Sequence, residues 1–333
     1  MIRFVLFTFF VLVVQSGMTQ GSSLSQDDLL KSYLESRESA RQSSSKGFSA
    51  EEQAELDRLE SLLKENYPDS YGTHLVIWLN GRYNTDRKTN LFRAYELDPD
   101  TKEIRNEMLA YYTITGDLAK QKEFAGLIKS QYSANTLNYY RDLLPESGIL
   151  VTSNQSDSYP LYVLQSVYTE GQGVQVINLE FLQNPVYKSR MQKEAVIGNT
   201  VFTGSEKVWL STLISSSTKD VRISATVNQG YFDMTESMYL TGLGYEYNPR
   251  NQYDLLDAFW NSVKGRNLAA VQLTSAEKKI YGNYLPALLT FYKLKLTGGT
   301  EDPLLRSGIA ALAEKISKSE TVDEILENYE TNR

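Results

Sequence analysis

One histidine, His74, and no cysteine are the whole supply of imidazole and thiol in these 333 residues. Classical zinc sites and Ser–His or Cys–His nucleophilic machinery are thereby excluded, because His74 lies in an apolar helical stretch and reads as a packed residue. Ser275-Ala276-Glu277-Lys278 fits the Ser-x-x-Lys pattern of penicillin-recognising serine enzymes. The Ser-Asp-Asn and Lys-Thr-Gly elements those enzymes also need are absent, so Ser275 reads as a helix cap. Gly171/Gly173 and Gly242/Gly244 are lone turn glycines without the flanks of a dinucleotide loop. The acid cluster Asp98-Pro99-Asp100 lacks the glycine and distal glutamate of a calcium loop. The sequence thus offers no catalytic residue, no metal ligand and no cofactor site.

One loop keeps hydrogen-bonding chemistry. Gly148-Ile149-Leu150-Val151-Thr152 is a compact apolar run that reads as a buried strand, and helical spacing runs from Ser158 through Leu161, Leu164 and Val167 to Tyr168. Residues 153–158 therefore lie between the carboxyl end of a strand and a helix N-terminus, where open α/β sheets bind ligands. Asn154, Gln155, Ser156, Asp157 and Ser158 are the candidate ligand-binding residues, joined by Asn178 and Glu180 after the second strand. The plainer alternative is that Asp157 or Ser158 caps the helix, with Pro160 tolerated in its first turn. Asp157 and Glu170 are conceivable as paired carboxylates for glycoside hydrolysis, but no spacing places them across a substrate. Among 23 tyrosines, Tyr111-Tyr112, Tyr139-Tyr140 and Tyr245/Tyr247 are candidates for flat surfaces that meet peptides or sugars. Tyrosine also suits half-buried helix faces, and packing is the commoner role.

The elements that position this loop follow from periodicity. A helix starts at Ser49, where Ser49 and Glu52 form a capping box and Leu56, Leu59, Leu62 and Leu63 make the apolar stripe. Ala94-Tyr95-Glu96-Leu97-Asp98-Pro99 reads like the end of a tetratricopeptide unit. Tyr112 and Gly116 have the spacing such units use at their inter-helix turn, and Trp78 and Tyr112 are 34 residues apart, the period of that repeat. The pattern is degenerate, since Arg82 stands where the first unit needs its turn glycine. An unrelated helical bundle is the alternative; either way residues 49–144 are helical hairpins. From 145 to 250 the texture is that of a small Rossmann-like α/β layer. It has strands at Gly148–Thr152, Val174–Leu179 and Val221–Val227, a right-handed parallel crossover between the first two, and helices near Val186–Ala195 and Glu206–Ser215. Residues 251–333 return to helices, at Tyr253–Val263, Ala276–Leu296, Leu304–Ser317 and Val322–Tyr329.

The N-terminus has the layout of a secretory signal peptide over residues 1–19: Arg3, an apolar run from Phe4 to Val14 broken only by Thr8, then Gly17-Met18-Thr19. The run is too short for the roughly 20 apolar residues of a spanning helix. A serine-rich tether follows over 20–48, with room for one short helix around Asp27–Arg41. The expected setting is periplasmic or secreted, with no transmembrane segment in the mature chain. A formal charge of −7 without a basic stripe excludes a nucleic-acid binder.

The stretch Ile149–Gln165, Val174-Gln175-Val176-Ile177-Asn178-Leu179 and the segment Tyr239–Pro249 resemble the water-exposed C-terminal part of Bacteroidetes membrane proteins of the protein O-mannosyltransferase-like family. Of that family's acidic loop only Asp157 remains. Transfer chemistry in such enzymes belongs to the membrane part, so the resemblance implies a detached accessory domain that transfers no sugar. The expected function is a non-enzymatic interaction or scaffold protein of the cell envelope that takes a protein or peptide partner on its helical array. A glycan-binding accessory of envelope glycosylation and a cryptic hydrolase are the alternatives.

Overall fold

The computed structural model describes residues 24–43, 48–195, 205–228, 230, 237–247, 249, 251–266 and 272–331. The expected signal peptide lies outside them. Among the described residues no helix is long and apolar enough to cross a membrane. The chain divides into two compact units, residues 1–80 and 81–333.

The first unit holds three helices, α1 (Gln26–Ser43), α2 (Ala50–Asn66) and α3 (Tyr71–Asn80). The expected capping box opens α2: Ser49 N–H donates to Glu52 at 2.7 Å and Glu52 N–H to Ser49 Oγ at 3.1 Å. The short helix expected within the tether around Asp27–Arg41 is α1, and it is packed against its neighbours. Leu29, Leu30, Tyr33 and Ala40 recur at helical spacing and are buried, so α1 has an apolar face that must be covered. Tyr67 Oη donates to Leu24 O at 2.9 Å, and Tyr71 Oη to Asp27 at 3.1 Å, fixing the start of α1.

The second unit opens with four helices, α4 (Lys88–Leu97), α5 (Lys102–Thr115), α6 (Leu118–Ile128) and α7 (Ala134–Leu143). Gly116 ends α5 at φ +80°, a left-handed cap that glycine reaches without strain, and Asp117 caps α6 through Lys120 N–H at 3.0 Å. Ser133 caps α7, accepting from Thr136 N–H at 3.1 Å.

A five-stranded sheet follows, formed by β1 (Gly148–Thr152), β2 (Val174–Asn178), β3 (Val221–Ser224), β4 (Met238–Leu240) and β5 (Gly244–Tyr247) in the order β2-β1-β3-β5-β4. The β2-β1-β3 core is parallel, with Thr152 opposite Asn178 and Val151 opposite both Ile177 and Ile223. The helix α8 (Gln155–Val167) links β1 to β2, while α9 (Pro185–Glu194) and α10 (Glu206–Ser216) lie between β2 and β3. Strands β5 and β4 add antiparallel, so the layer is mixed. These two strands escaped the sequence reading because β4 is only three residues long and β5, though four, buries no large side chain that would mark a face. Arg222 of β3 donates to Glu246 of β5 at 2.8 Å and fixes their register. The third strand stops at Ser224, because the chain turns at once: Val227 N–H donates to Ser224 O at 3.0 Å.

The remaining helices are α11 (Gln252–Val263), α12 (Ser275–Tyr281), α13 (Tyr284–Thr297), α14 (Pro303–Lys315) and α15 (Ser319–Thr331). The single helix expected over Ala276–Leu296 is two. Pro286 has no N–H for the carbonyl of Gly282, so the ladder breaks there and Pro286 falls in the first turn of α13, where it is tolerated. Thr274, and not Ser275, caps α12, in a second capping box with Glu277. Helices α6 and α7 pack on α8, and α11 and α12 pack on α7. The first helices of this unit, the sheet and the C-terminal helices are therefore joined through α7 and α8.

Candidate functional site

In this sheet the chain leaves β1 for β2 on one side and returns to β3 on the other, so β1 and β3 flank the topological switch point. Such a point leaves a crevice at the carboxyl ends of its strands, where α/β proteins commonly bind ligands. Here that position lies between residues 153–158 after β1 and Ala225-Thr226 after β3.

The helix that follows β1 starts at Gln155, three residues before the expected Ser158, and its cap is neither Asp157 nor Ser158. Asn154 is the cap: its Oδ1 accepts from Ser156 N–H at 2.9 Å, and its carbonyl accepts from Ser158 N–H at 3.1 Å and Ser158 Oγ at 2.7 Å. Pro160 lies inside the helix. Gln155 is buried and donates to Glu107 of α5 at 3.0 Å. Ser158 and Asn178 are fully buried; Asn178 Nδ2 donates to Ser158 Oγ at 2.8 Å, and Thr152 Oγ1 sits 3.0 Å from the same hydroxyl. The other side of Asn178 accepts from Glu180 N–H at 2.9 Å, and its own N–H donates to Tyr187 Oη at 3.0 Å. Tyr187, brought by α9, thereby satisfies a donor at the open edge of β2.

Asp157 is 7% exposed. Thr226 Oγ1 donates to its Oδ2 at 2.7 Å, and Tyr140 Oη stands 3.1 Å from its Oδ1. Burial pushes its carboxyl above the usual aspartate range, against hydrogen bonds from Thr226, Tyr140 and the Ser153 N–H. Tyr140 is raised well above a free phenol, by burial first and then by the facing Asp157. Of the seven candidate ligand residues, four are therefore buried and bonded within the protein, Asn154 is the helix cap, Glu180 is half-buried beside Asn178, and Ser156 alone is exposed. Tyr139 and Tyr140 are buried as well, so that pair forms no flat surface, whereas Tyr111 and Tyr112 are half-buried and Tyr247 is exposed.

The notional carboxylate pair does not form. Asp157 is in the first turn of α8 while Glu170 lies beyond its far end and pairs with Arg141 at 2.6 Å. At 1.5 Å per residue the helix separates them by about 15 Å or more, well over the span of a glycosidase pair. Among the described residues no three histidine, aspartate or glutamate side chains are grouped to hold a metal ion. A shallow surface depression of about 500 Å³ lies on α9, lined by Pro185, Val186, Ser189, Arg190 and Lys193. Its Arg190 is engaged by Glu194 at 3.1 Å and by the Thr113 carbonyl.

Tyr140 and Thr226, which close the crevice, were not singled out for that role by the sequence. The available signal was Pro160, since a proline there leaves the Ser156 carbonyl without its helical donor and calls for one from elsewhere. No family model matches the chain, and neither the curated proteins nor the solved structures contain a match to it.

Proposed function

We propose that the chain is an exported, non-enzymatic interaction protein of a bacterial cell envelope. It acts in the periplasm or outside the cell after loss of residues 1–19, and its helical hairpins take a protein or peptide partner. One observation supports this reading above the others: the Asp157–Thr226 hydrogen bond of 2.7 Å spans the switch point where a ligand would enter. A binding or catalytic pocket needs convergent polar groups that face the ligand. Gln155, Asp157, Ser158 and Asn178 face one another or Glu107, Tyr140 and Thr226 instead. A ligand would have to strip them of those partners, at about 1–3 kcal/mol for each buried group left unpaired. Helical arrays, by contrast, present extended surfaces and act mostly through them.

The test is crosslinking in the native envelope followed by mass spectrometry, alongside assays of the processed protein against ester and glycoside substrates. Reproducible recovery of one protein partner, with no turnover above background, is the expected result. Turnover that disappears in Asp157→Asn would overturn the reading.

A further inference from the structure

Helices α14 and α15 are joined by a turn that lacks the residues such a turn ordinarily uses. Helix α14 ends in a Schellman motif: Lys318 N–H donates to Ala313 O at 2.7 Å and Ser317 N–H to Glu314 O at 3.0 Å. The left-handed residue of that motif is usually glycine, and here it is Ser317, at φ +62°. Helix α15 begins no better. Lys318, whose carbonyl accepts from Val322 N–H at 3.1 Å, stands at the cap position and has no side-chain acceptor to offer the first turn. Ser49, Asn154, Asn184 and Thr274 supply that acceptor for other helices of the chain. Residues 309–331 contain neither glycine nor proline, so no residue type there prevents α14 and α15 from running on as one helix.

Helix α15 is held as a bound amphipathic peptide is held. It docks on α13 and α14 with Val322 and Leu326 buried and Tyr329 half-buried, the i, i+4 and i+7 anchors of a helix laid in a groove. Glu320, Asp323, Glu324, Glu327 and Glu330 meet no lysine or arginine within α15. The groove supplies the complement. Arg306 Nε donates to Glu330 at 2.6 Å, Tyr292 Oη donates to the same carboxylate at 2.7 Å, and Lys293 lies over the Tyr329 ring at 5.4 Å. The occupant that this groove fits is therefore α15.

Opening the turn into helix carries α15 away from its own groove. Val322 lies six residues after Ile316, which at 3.6 residues per turn sets it about 120° from the stripe buried by Leu305, Ile309, Leu312 and Ile316. The apolar face of α15 is then covered only by the groove of another chain, whose own α15 has left in the same way. We propose that the chain forms a reciprocal dimer by exchanging α15 with a second copy, with residues 316–319 as the hinge. Every contact of α15 is remade between chains, and the left-handed strain at Ser317 is released in both, which offsets part of the cost of association. The exchange holds whether or not the helical hairpins take a separate partner.

The experiment refolds the full processed chain at high concentration, so that helices have time to exchange, and reads mass by light scattering across a dilution series. The chain has no cysteine, so a mixture of Lys293→Cys and Tyr329→Cys chains can be probed with a short bismaleimide. Exchange brings the two substituted positions of different chains together, and material of twice the chain mass, joined at 293 and 329, is expected. Ser317→Gly suits the closed turn and weakens a continuous helix, so the dimer dissociation constant should rise roughly tenfold for each of the two hinges. Ser317→Ala keeps the strain in the turn and favours the helix, so it should tighten the dimer by about fourfold. Ser317 is exposed, and neither change threatens the fold. A chain that stays monomeric throughout would overturn the proposal. So would a dimer that never joins 293 to 329 between chains, or one that responds alike to glycine and alanine at 317.

Discussion

The Tyr284 hydroxyl donates to Asp142 Oδ2 at 2.7 Å, and this bond ties α13 to α7 across 142 residues of sequence. Asp142 is also paired with Arg266, and its side chain is 2% exposed. Tyr284 itself is fully buried, stacked on Phe259 and set edge-on to Tyr139. The bond is thus a charge-assisted contact inside an aromatic cluster. Tyr284→Phe should lower unfolding free energy by about 1–3 kcal/mol, because it removes a donor from a buried carboxylate. Tyr281→Phe, which gives up a 3.2 Å bond to the Asn135 carbonyl, should cost about 1 kcal/mol or less. Urea unfolding of the two variants measures the difference, and equal losses would refute the special weight given to Asp142.

The same carboxyl sets an expectation for pH. Burial raises Asp142 above the ordinary 3.8, with Tyr284 and Arg266 opposing. A group whose folded-state pKa is raised binds its proton more tightly in the native state. Its contribution to stability is therefore complete below 3.8 and is lost as pH climbs through the folded value. The stability difference between the unaltered chain and Asp142→Asn should accordingly shrink as pH rises from about 4. Glu277 behaves in the opposite sense. Burial raises it, but hydrogen bonds from Ser133 and Thr274 outweigh that and hold it low, so its contribution is lost as pH falls. Denaturant midpoints taken across the acid range for Asp142→Asn and Glu277→Gln separate the two slopes. A difference that grows with pH for Asp142→Asn would show that the Arg266 pairing governs this site.

Backbone geometry gives a prediction free of electrostatics. Gly148 begins β1 at φ +100°, and a Cβ there would lie 2.5 Å from the Asp220 carbonyl. Gly148→Ala should cost roughly 2–4 kcal/mol, from left-handed strain together with the clash. Gly116→Ala, at φ +80° with only the flexible Arg190 side chain at 3.1 Å, should cost about 1 kcal/mol. Gly265→Ala meets nothing within 4 Å and should stay within about 0.5 kcal/mol. Thermal unfolding ranks the three, and any other order would mean that neighbouring backbone yields more readily than the geometry allows.

How far the sequence revealed this architecture depends on the range over which each feature is decided. The strands Gly148–Thr152 and Val174–Asn178, the intervening helix and the Ser49–Glu52 capping box are local patterns, and they were legible. The break at Gly282 was local too, but its signal was the single Pro286, which the apolar periodicity around it concealed. Strand β4 is too short to show a period and β5 buries no large side chain, and the two pair on from the edge that β3 offers. The candidate loop was placed correctly beside the switch point, yet its closure was not legible. Tyr140 and Thr226 reach Asp157 from 17 and 69 residues away, and nothing within residues 153–158 names them. The helix α1 was legible around Asp27–Arg41, but its packing was not, although Leu29, Leu30 and Tyr33 already marked a face to bury.

The loop itself supplies the last prediction, because its side chains divide by what they hold. Asn154 satisfies a free N–H in the first turn of α8, and Asn154→Ala should cost about 1 kcal/mol, as loss of a helix cap does. Ser158 is fully buried among Thr152, Asn154 and Asn178, so Ser158→Ala strands their polar atoms and should cost about 1–3 kcal/mol. Ser156 is exposed, and Ser156→Ala should change stability by less than about 0.5 kcal/mol. A loop selected for a ligand would show the reverse economy, with its polar groups expendable to the fold and indispensable to binding. Calorimetric unfolding of the three variants therefore tests the fold and the proposed function together. A neutral Ser158→Ala would mean that the buried hydroxyl is idle in the folded chain and free to serve something else.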